Sequence, residues 1–500
     1  MQTNRFTTFL ARNSYVLVSV FGLFVWWLVL RSFKPETPIF FDEITEAYSP
    51  LMWCISLVAL SIPVIVYLCS KTFRALPWTQ QVVSAGLVLL LASIVHRPRT
   101  YLDAQVIFFV CTLVAFAFDK QRRLNRPPMF FIVSGVYFLW MVLSLIWTND
   151  LHEGQRFLSH MVPLISYPIA FTFICLDKEN FNALVRTFMR VAMIGCVLSL
   201  GCAIYEAARV GVPCTIFLQL KKFLFMNMVP VYDVIFAWSG ACHPSYNAIW
   251  MTAAVVAIYY LRYSNLISAF EAFFGCGLTL LVLIMIQSRV GFVMWVIVNM
   301  AGLVYLFRKS PKKLFPTLFV FLLLLGAILL ANPLWSQKLT ADSTRSILLG
   351  IARDYITARP ILGSGIGGMS YAHVEEVVGY SFQNWWPEYA SASAFYPHNQ
   401  FLGDWMQSGI VGFILLIALL LSVFYDAIRT RRFMPFVFTM ALLPLMYIEM
   451  PFRFLTGTTI IALVWCFTEC NFRPAPDSKP DTSPCDAATN TTVHTDTPAQ

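Results

Sequence analysis

From Tyr15 to Cys470 the chain alternates long apolar runs with short polar joints, and most runs approach the length of a bilayer crossing. About 20 apolar residues in an α-helix cover the ~30 Å hydrocarbon layer. Inside that layer only structures that satisfy their own backbone persist, which makes each run a helix rather than an open strand. The pattern predicts an all-α polytopic membrane protein: a bundle of about 12–14 transmembrane helices in one membrane domain over residues 1–470. Tyr15 to Leu30 could instead be a signal peptide, but "RSFKPETP" follows it where small cleavage-site residues would stand. It is read as the first retained span. Beyond Cys470, "RPAPDSKPDTSPCDAATNTTVHTDTPAQ" has almost no large apolar residues, so residues 471–500 are expected to form a disordered tail.

The polar joints orient the bundle. Arg5 and Arg12 precede the first span, Lys71 and Arg74 follow the second, and Lys120, Arg122, Arg123 and Arg126 follow the fourth. Arg308, Lys309, Lys312 and Lys313 come later, then Arg429, Arg431 and Arg432. With each cluster placed in the cytoplasm, alternation works and both termini are cytoplasmic. Two outer segments are then long enough to hold chemistry, residues 211–244 and the larger 332–398.

Composition narrows the class. The chain is 58% hydrophobic and 12% charged with a mean hydropathy of +0.68, values that exclude a soluble enzyme carrying a single anchor. A net charge of +9 would suit nucleic acid if gathered into a stripe. Scattered through joints it reports topology, and no nucleic-acid partner is expected. Most of the twelve cysteines lie in apolar runs, where cysteine acts as a small buried hydrophobe. Cys214 and Cys242 share an outer segment, and a disulfide between them is left open. No internal repeat is visible, nor an inverted pair of broken spans of the transporter kind.

The larger outer segment has internal structure. "DSTRSILLGIARDYITARP" opens with capping residues, shows helical spacing and stops at a proline. At 100° per residue, Ile347, Leu348, Leu349, Ile351, Ala352, Tyr355 and Ile356 form one apolar arc. Arg345 projects within that arc, where a guanidinium is costly unless an anion meets it. Arg353 and Asp354 fall just beyond its edges. "LGSGIGGMS" follows; with no strand before it and no Lys-Ser/Thr after it, it is a flexible turn rather than a nucleotide loop, although its amides could cup a phosphate.

Three positions stand out chemically. His398 differs from the boundary histidines His96, His152 and His373, which read as interfacial. Asn399, Gln400, Asp404 and Gln407 carry polar character from it into the next span, and those groups need partners there. Arg289, with Gln287 and Ser288, separates two apolar runs at the outer face. Two guanidinium groups at that face, Arg289 and Arg345, suit a pyrophosphate, which they bind in a forked geometry.

Taken in order, "HPSYNAIW", "QSRVGF", "RSILLGIARDYITARPILGSGIGG" and "HNQFLGDWMQSGIVGF" resemble the O-antigen ligase and polymerase family of bacterial envelope glycosyltransferases, from about Pro244 to Phe413. The family's pattern is an arginine at the end of a span, a second opening a helix in a large periplasmic loop, a P-x-x-G-x-G turn, then His-Asn leading into a span with a G-x-x-G end. Arg289, Arg345, Pro360 with Gly363 and Gly365, His398 with Asn399, and Gly409 with Gly412 occupy those positions. The resemblance implies a GT-C-like bundle in the bacterial inner membrane, with its site facing the periplasm. It also implies an inverting transfer, without metal or cofactor, from undecaprenyl pyrophosphate to an acceptor hydroxyl, on lipid A-core for a ligase. Repeat-unit polymerases of O-antigen or exopolysaccharide and protein O-oligosaccharyltransferases share these motifs. In this scheme His398 is the base, because histidine titrates near neutral pH. Arg289 and Arg345 hold the pyrophosphate, and His243, Arg353 and Asn399 are second-rank contacts.

Two rivals remain at this stage. Asp42, Glu43 and Glu46 in "FFDEITEAY" could form an acidic metal motif in the first outer loop. A flippase or polysaccharide transporter is also conceivable, yet the spans carry few mid-membrane charges and the polar groups gather in one outer loop.

Overall fold

A computed structural model of the protein describes residues 58–95, 98–118, 127–209, 244–285, 288–330, 343–379 and 395–472. The expected first span, the acidic residues Asp42, Glu43 and Glu46, the segment 211–243 with Cys214, Cys242 and His243, and the tail from 473 onward lie outside the described residues.

The described chain is helical almost throughout, as its apolar runs predict. Helices α1 (Val58–Leu68), α2 (Trp78–Ser93) and α3 (Pro98–Phe118) come first, then α4 (Met129–Leu143), the short pair α5 (Leu151–Met161) and α6 (Pro163–Thr172), and α7 (Lys178–Arg209). The second half holds α8 (Pro244–Tyr263), α9 (Ala269–Met285), α10 (Arg289–Phe307) and α11 (Pro311–Leu330). The outer helices α12 (Ser343–Ala358) and α13 (Tyr371–Val378) follow, then α14 (Gln400–Arg429), α15 (Phe433–Ile448) and α16 (Leu455–Thr468). Among the described residues, four stretches are long and apolar enough to cross a membrane: Met129–Trp147, Lys178–Leu198, Arg289–Phe307 and Gln400–Arg429.

Packing sorts central helices from peripheral ones. The apolar window of α7 is 72% buried against 33% for that of α4, so α7 sits deep in the bundle and α4 at its edge. In α4 the inward stripe is Phe130, Ser134, Tyr137 and Met141, while Ile132, Val136, Leu139 and Leu143 stay exposed on the other face. A helix apolar all round, with one face unpacked, suits contact with lipid. Where α8 meets α10 the contact is close: a Cβ on Gly291 would lie 2.7 Å from the Cβ of Ala248. Small residues permit that approach in helix pairs that lack a hydrophobic drive from water.

The bundle has two chemically different ends. At one, Arg308 lies 5.2 and 5.0 Å from the ring centroids of Tyr263 and Tyr305, and Tyr305 stacks on Phe433 at 4.0 Å. That contact joins the ends of α8 and α10 to the start of α15. Arg432 pairs with Glu469 at 3.4 Å beside it, and Cys175–Leu176 pairs in parallel with Asn471–Phe472. This pairing takes in the first two residues of the expected tail. The opposite end holds the starts of α8, α10 and α14 and the finish of α15. There α12 and α13 pack: Leu348, Ile351, Ala352, Tyr355 and Ile356 cluster with Met369, Val374, Phe395 and Met406. Ile347 packs against this cluster, so the apolar arc read from the sequence, Leu349 apart, is the face that packs.

Candidate active site

The start of α14 is built by three consecutive residues. Gln400 begins the helix, and Asn399 caps it: its Oδ1 accepts from the Leu402 amide at 3.0 Å and its Nδ2 donates to the Tyr447 carbonyl at 2.9 Å. One side chain thus closes α14 and ties it to the last turn of α15, a capping role worth about 1 kcal/mol. His398, just before the cap, has φ +49. Left-handed backbone costs a non-glycine residue about 1–2 kcal/mol, and such residues concentrate at functional sites.

This turn brings the imidazole to Glu449, the residue that ends α15. Nδ1 of His398 lies 3.4 Å from Oε2 of Glu449, with side chains 26% and 3% exposed. Tyr396 donates to the same carboxylate oxygen at 3.1 Å and accepts from the Met450 amide at 3.0 Å. Its ring also meets the imidazole edge-on, centroids 4.2 Å apart. Burial and the adjacent Glu449 charge raise the Tyr396 hydroxyl well above the ordinary tyrosine value, so near neutral pH it donates to the carboxylate. Arg453 completes the cluster. It donates to the Phe395 carbonyl at 2.8 Å, and its guanidinium lies 4.4 Å from the Phe157 ring centroid and 5.0 Å from that of Tyr396. The imidazole is therefore held on its Nδ1 side, which leaves Nε2 as the nitrogen that can meet a substrate.

A joint below the histidine fixes the height of this assembly. Within α14, Gly409 takes φ 70 and ψ −169 and interrupts the helix. A Cβ there would stand 1.8 Å from the Ile361 carbonyl, so only glycine fits. The Pro360 carbonyl accepts from both the Ile410 amide and the Trp405 indole at 3.0 Å. Ser364 returns the contact, its amide donating to the Met406 carbonyl at 2.9 Å. On the other side of the loop, Ile366 donates to Ser144 Oγ at 3.1 Å and accepts from Thr148 Oγ1 at 2.8 Å. The glycine-rich loop is neither a flexible turn nor a phosphate cup. Residues 364–369 are buried, and the amides of Ser364, Ile366, Gly367 and Gly368 meet protein acceptors. The P-x-x-G-x-G and G-x-x-G pieces thus form one brace.

The arginines divide. Arg289 opens α10, its side chain exposed and its helix capped by Ser288, whose Oγ accepts from the Gly291 amide at 3.1 Å. Gly291 abuts Ala248, and two residues before Ala248, the Tyr246 hydroxyl lies 3.4 Å from that of Tyr396. Arg289 and His398 therefore share one end of the bundle. Arg345 stands in the first turn of α12, the helix packed on the start of α14. Arg353 lies on the exposed side of α12 and pairs with neighbouring Asp354 at 3.7 Å. His243 immediately precedes α8, outside the described residues. Asn399, a second-rank contact by sequence, has both polar atoms engaged in the cap.

Sequence reasoning missed Glu449, Tyr396, Tyr246 and Arg453. "YIEMPFRF" did carry a signal, since Glu449 closes an apolar run just before a proline and falls on the outer side by alternation.

The family model described as O-antigen ligase matches residues 274–417 of the chain. The matched segment runs from α9 to the middle of α14, and it contains Arg289, Arg345, the Pro360 brace and His398. The ligase match points to a glycosyltransferase-type membrane enzyme that works on a lipid-linked glycan donor and a glycan acceptor. Glu449 and Tyr246 belong to the same cluster but lie beyond the matched ligase segment. No curated relative matches the chain. Among the described residues no group of three or more His, Cys, Asp or Glu could hold a metal ion.

Proposed function

We propose that the protein moves a glycan from undecaprenyl pyrophosphate to an acceptor hydroxyl, with His398 as general base. The observation that carries this reading is the imidazole held by Glu449 and Tyr396 at the end of the bundle where α10 and α12 bring Arg289 and Arg345. In the reaction the acceptor oxygen bonds to the anomeric carbon while the carbon–oxygen bond to the diphosphate breaks. The hydroxyl proton passes to Nε2 of His398, and the electron pair leaves on the diphosphate. A single displacement inverts the anomeric centre. Glu449 faces Nδ1 and stabilises the imidazolium as it forms, as a carboxylate does for a catalytic histidine elsewhere. Arg289 and Arg345 offset the charge that grows on the departing diphosphate. That group already leaves readily, so the reading needs no general acid and no metal.

Orientation follows from the two ends. Arg262, Arg308, Arg429 and Arg432 gather at the end opposite His398, and positive charge favours the cytoplasmic side. The site then faces the periplasm of a bacterial inner membrane, level with a diphosphate that its lipid holds at the surface. Lipid A-core is the proposed acceptor. A growing repeat-unit polymer or a protein hydroxyl would use the same chemistry. Vesicles containing the protein, undecaprenyl-pyrophosphate-linked glycan and lipid A-core test the reading. Glycosylated lipid A-core should form and persist in a chelator. Translocated donor with no new glycosidic bond would replace this reading with a transporter.

A further inference from the structure

One buried polar group below the site has no part in the proton transfer. Asp404 sits one turn into α14, buried, and lines a small cavity with Met141, Phe157, Met161, Phe452, Gln407 and Arg453. A carboxylate there is expensive unless it satisfies donors. It accepts from the Tyr137 hydroxyl at 2.5 Å through Oδ2 and from Gln400 Nε2 at 2.7 Å through Oδ1. Gln400 is then engaged at its other end, where Oε1 accepts from the Phe452 amide at 3.0 Å. An amide is directional: with its nitrogen held by a carboxylate, its oxygen must face the other way. Asp404 thus dictates that Gln400 presents an acceptor to Phe452.

Phe452 belongs to the segment that carries the site. Residues 449–453 supply Glu449, the Met450 amide bound by Tyr396, and Arg453. Met450 also lies against Gly403, one turn above Gln407 on α14. From α14, Asn399 grips the preceding turn at Tyr447 and Gln400 grips the following one at Phe452, with Glu449 between them. We propose that Asp404 is a positioning residue: acting through Gln400 and Phe452, it sets Glu449 against His398. The inference rests on the reading of His398 as base, and it adds to that reading a link running from α4 through α14 to the carboxylate.

The hydrogen-bond chemistry makes the link testable. In Asp404→Asn the side-chain oxygen still accepts from Gln400, and the Tyr137 hydroxyl turns to accept from the new amide. Asp404→Leu and Gln400→Leu have no such recourse. Each leucine variant should lower turnover by about tenfold to hundredfold, the scale of a small misplacement at a reacting centre, with donor KM within about threefold. The double leucine variant should be no slower than either single one, and Asp404→Asn should keep most of the wild-type rate. Glu449→Gln should cost much less turnover in the Gln400→Leu background than in wild type.

Rates of glycan transfer are measured per folded protein, with the folded amount taken from size exclusion and circular dichroism. His398→Ala is included as the control. Asp404→Asn as slow as Asp404→Leu would overturn the link in favour of a role for the charge itself. Wild-type turnover in Gln400→Leu, or a Glu449→Gln effect that adds in full, would also overturn it. Normal transfer by His398→Ala would instead remove the base assignment. An inactive His398→Ala beside a normal Gln400→Leu would remove only the link.

Discussion

Replacing Glu449 with glutamine keeps the size and an oxygen acceptor but removes the charge that, with His398 as the proposed base, would stabilise its imidazolium. At the observed 3.4 Å separation, two unit charges attract by about 1 kcal/mol in water and about 5 kcal/mol at an effective dielectric of 20. Glu449 is 3% exposed and His398 26% exposed, so the pair lies nearer the second figure, moderated by the open side of the imidazole. A loss of about 2–4 kcal/mol of transition-state stabilisation corresponds to about 30- to 1000-fold in turnover. The assay is initial transfer rate at saturating lipid-linked donor, with donor affinity measured separately by binding. Affinity should hold, because the proposed diphosphate contacts are Arg289 and Arg345. A Glu449→Gln enzyme with wild-type turnover would refute the charge argument and leave Glu449 as the residue that caps α15.

Three further outcomes are expected. Arg289→Ala and Arg345→Ala should each lower transfer by about 10²-fold or more while insertion stays normal, with lysine partly rescuing wherever a point charge suffices; wild-type transfer in either variant removes that arginine from the site. Gly409→Ala should destabilise the fold by about 3 kcal/mol or more, because the new Cβ would meet the Ile361 carbonyl at 1.8 Å; thermal unfolding in detergent checks this, with Gly326→Ala, where a Cβ meets nothing within 4 Å, as the unaffected control. The Tyr396 hydroxyl is raised by burial and by Glu449, so the folded chain keeps that proton after the unfolded chain releases it near pH ~10. Stability contributed by this group is intact below that pH and falls above it; unfolding midpoints measured into the alkaline range should decline less in Tyr396→Phe than in wild type.

How far the sequence could be read depended on whether the relevant partners were local. Apolar length marks a membrane helix without reference to anything else, so the bundle was legible. The outer helix was legible too, because Leu348, Ile351, Ala352, Tyr355 and Ile356 repeat at helical spacing and all five pack. In the sequence Gly409 is only the first glycine of the G-x-x-G end of a span. It proves to be a break, completed by the Pro360 carbonyl, which no local pattern marks. The loop amides looked exposed for the same reason, since the acceptors for Ile366, Ser364 and Gly367 are Ser144, Met406 and Gln407 elsewhere in the chain. His398 could be singled out by its polar neighbours, yet its partner Glu449 stands 51 residues away. Asn399 looked available for substrate until its partners at Leu402 and Tyr447 were visible.

The central claim is that His398 takes the proton of the acceptor hydroxyl. Its most direct test is single-turnover transfer by purified His398→Ala and wild-type protein, using the same undecaprenyl-pyrophosphate-linked donor, with donor binding measured in parallel. His398 as the base requires transfer slowed by about 10²- to 10⁴-fold, the usual worth of a positioned base, and donor affinity within about threefold of wild type. Transfer at the wild-type rate would contradict it and leave His398 as a strained turn at the mouth of α14.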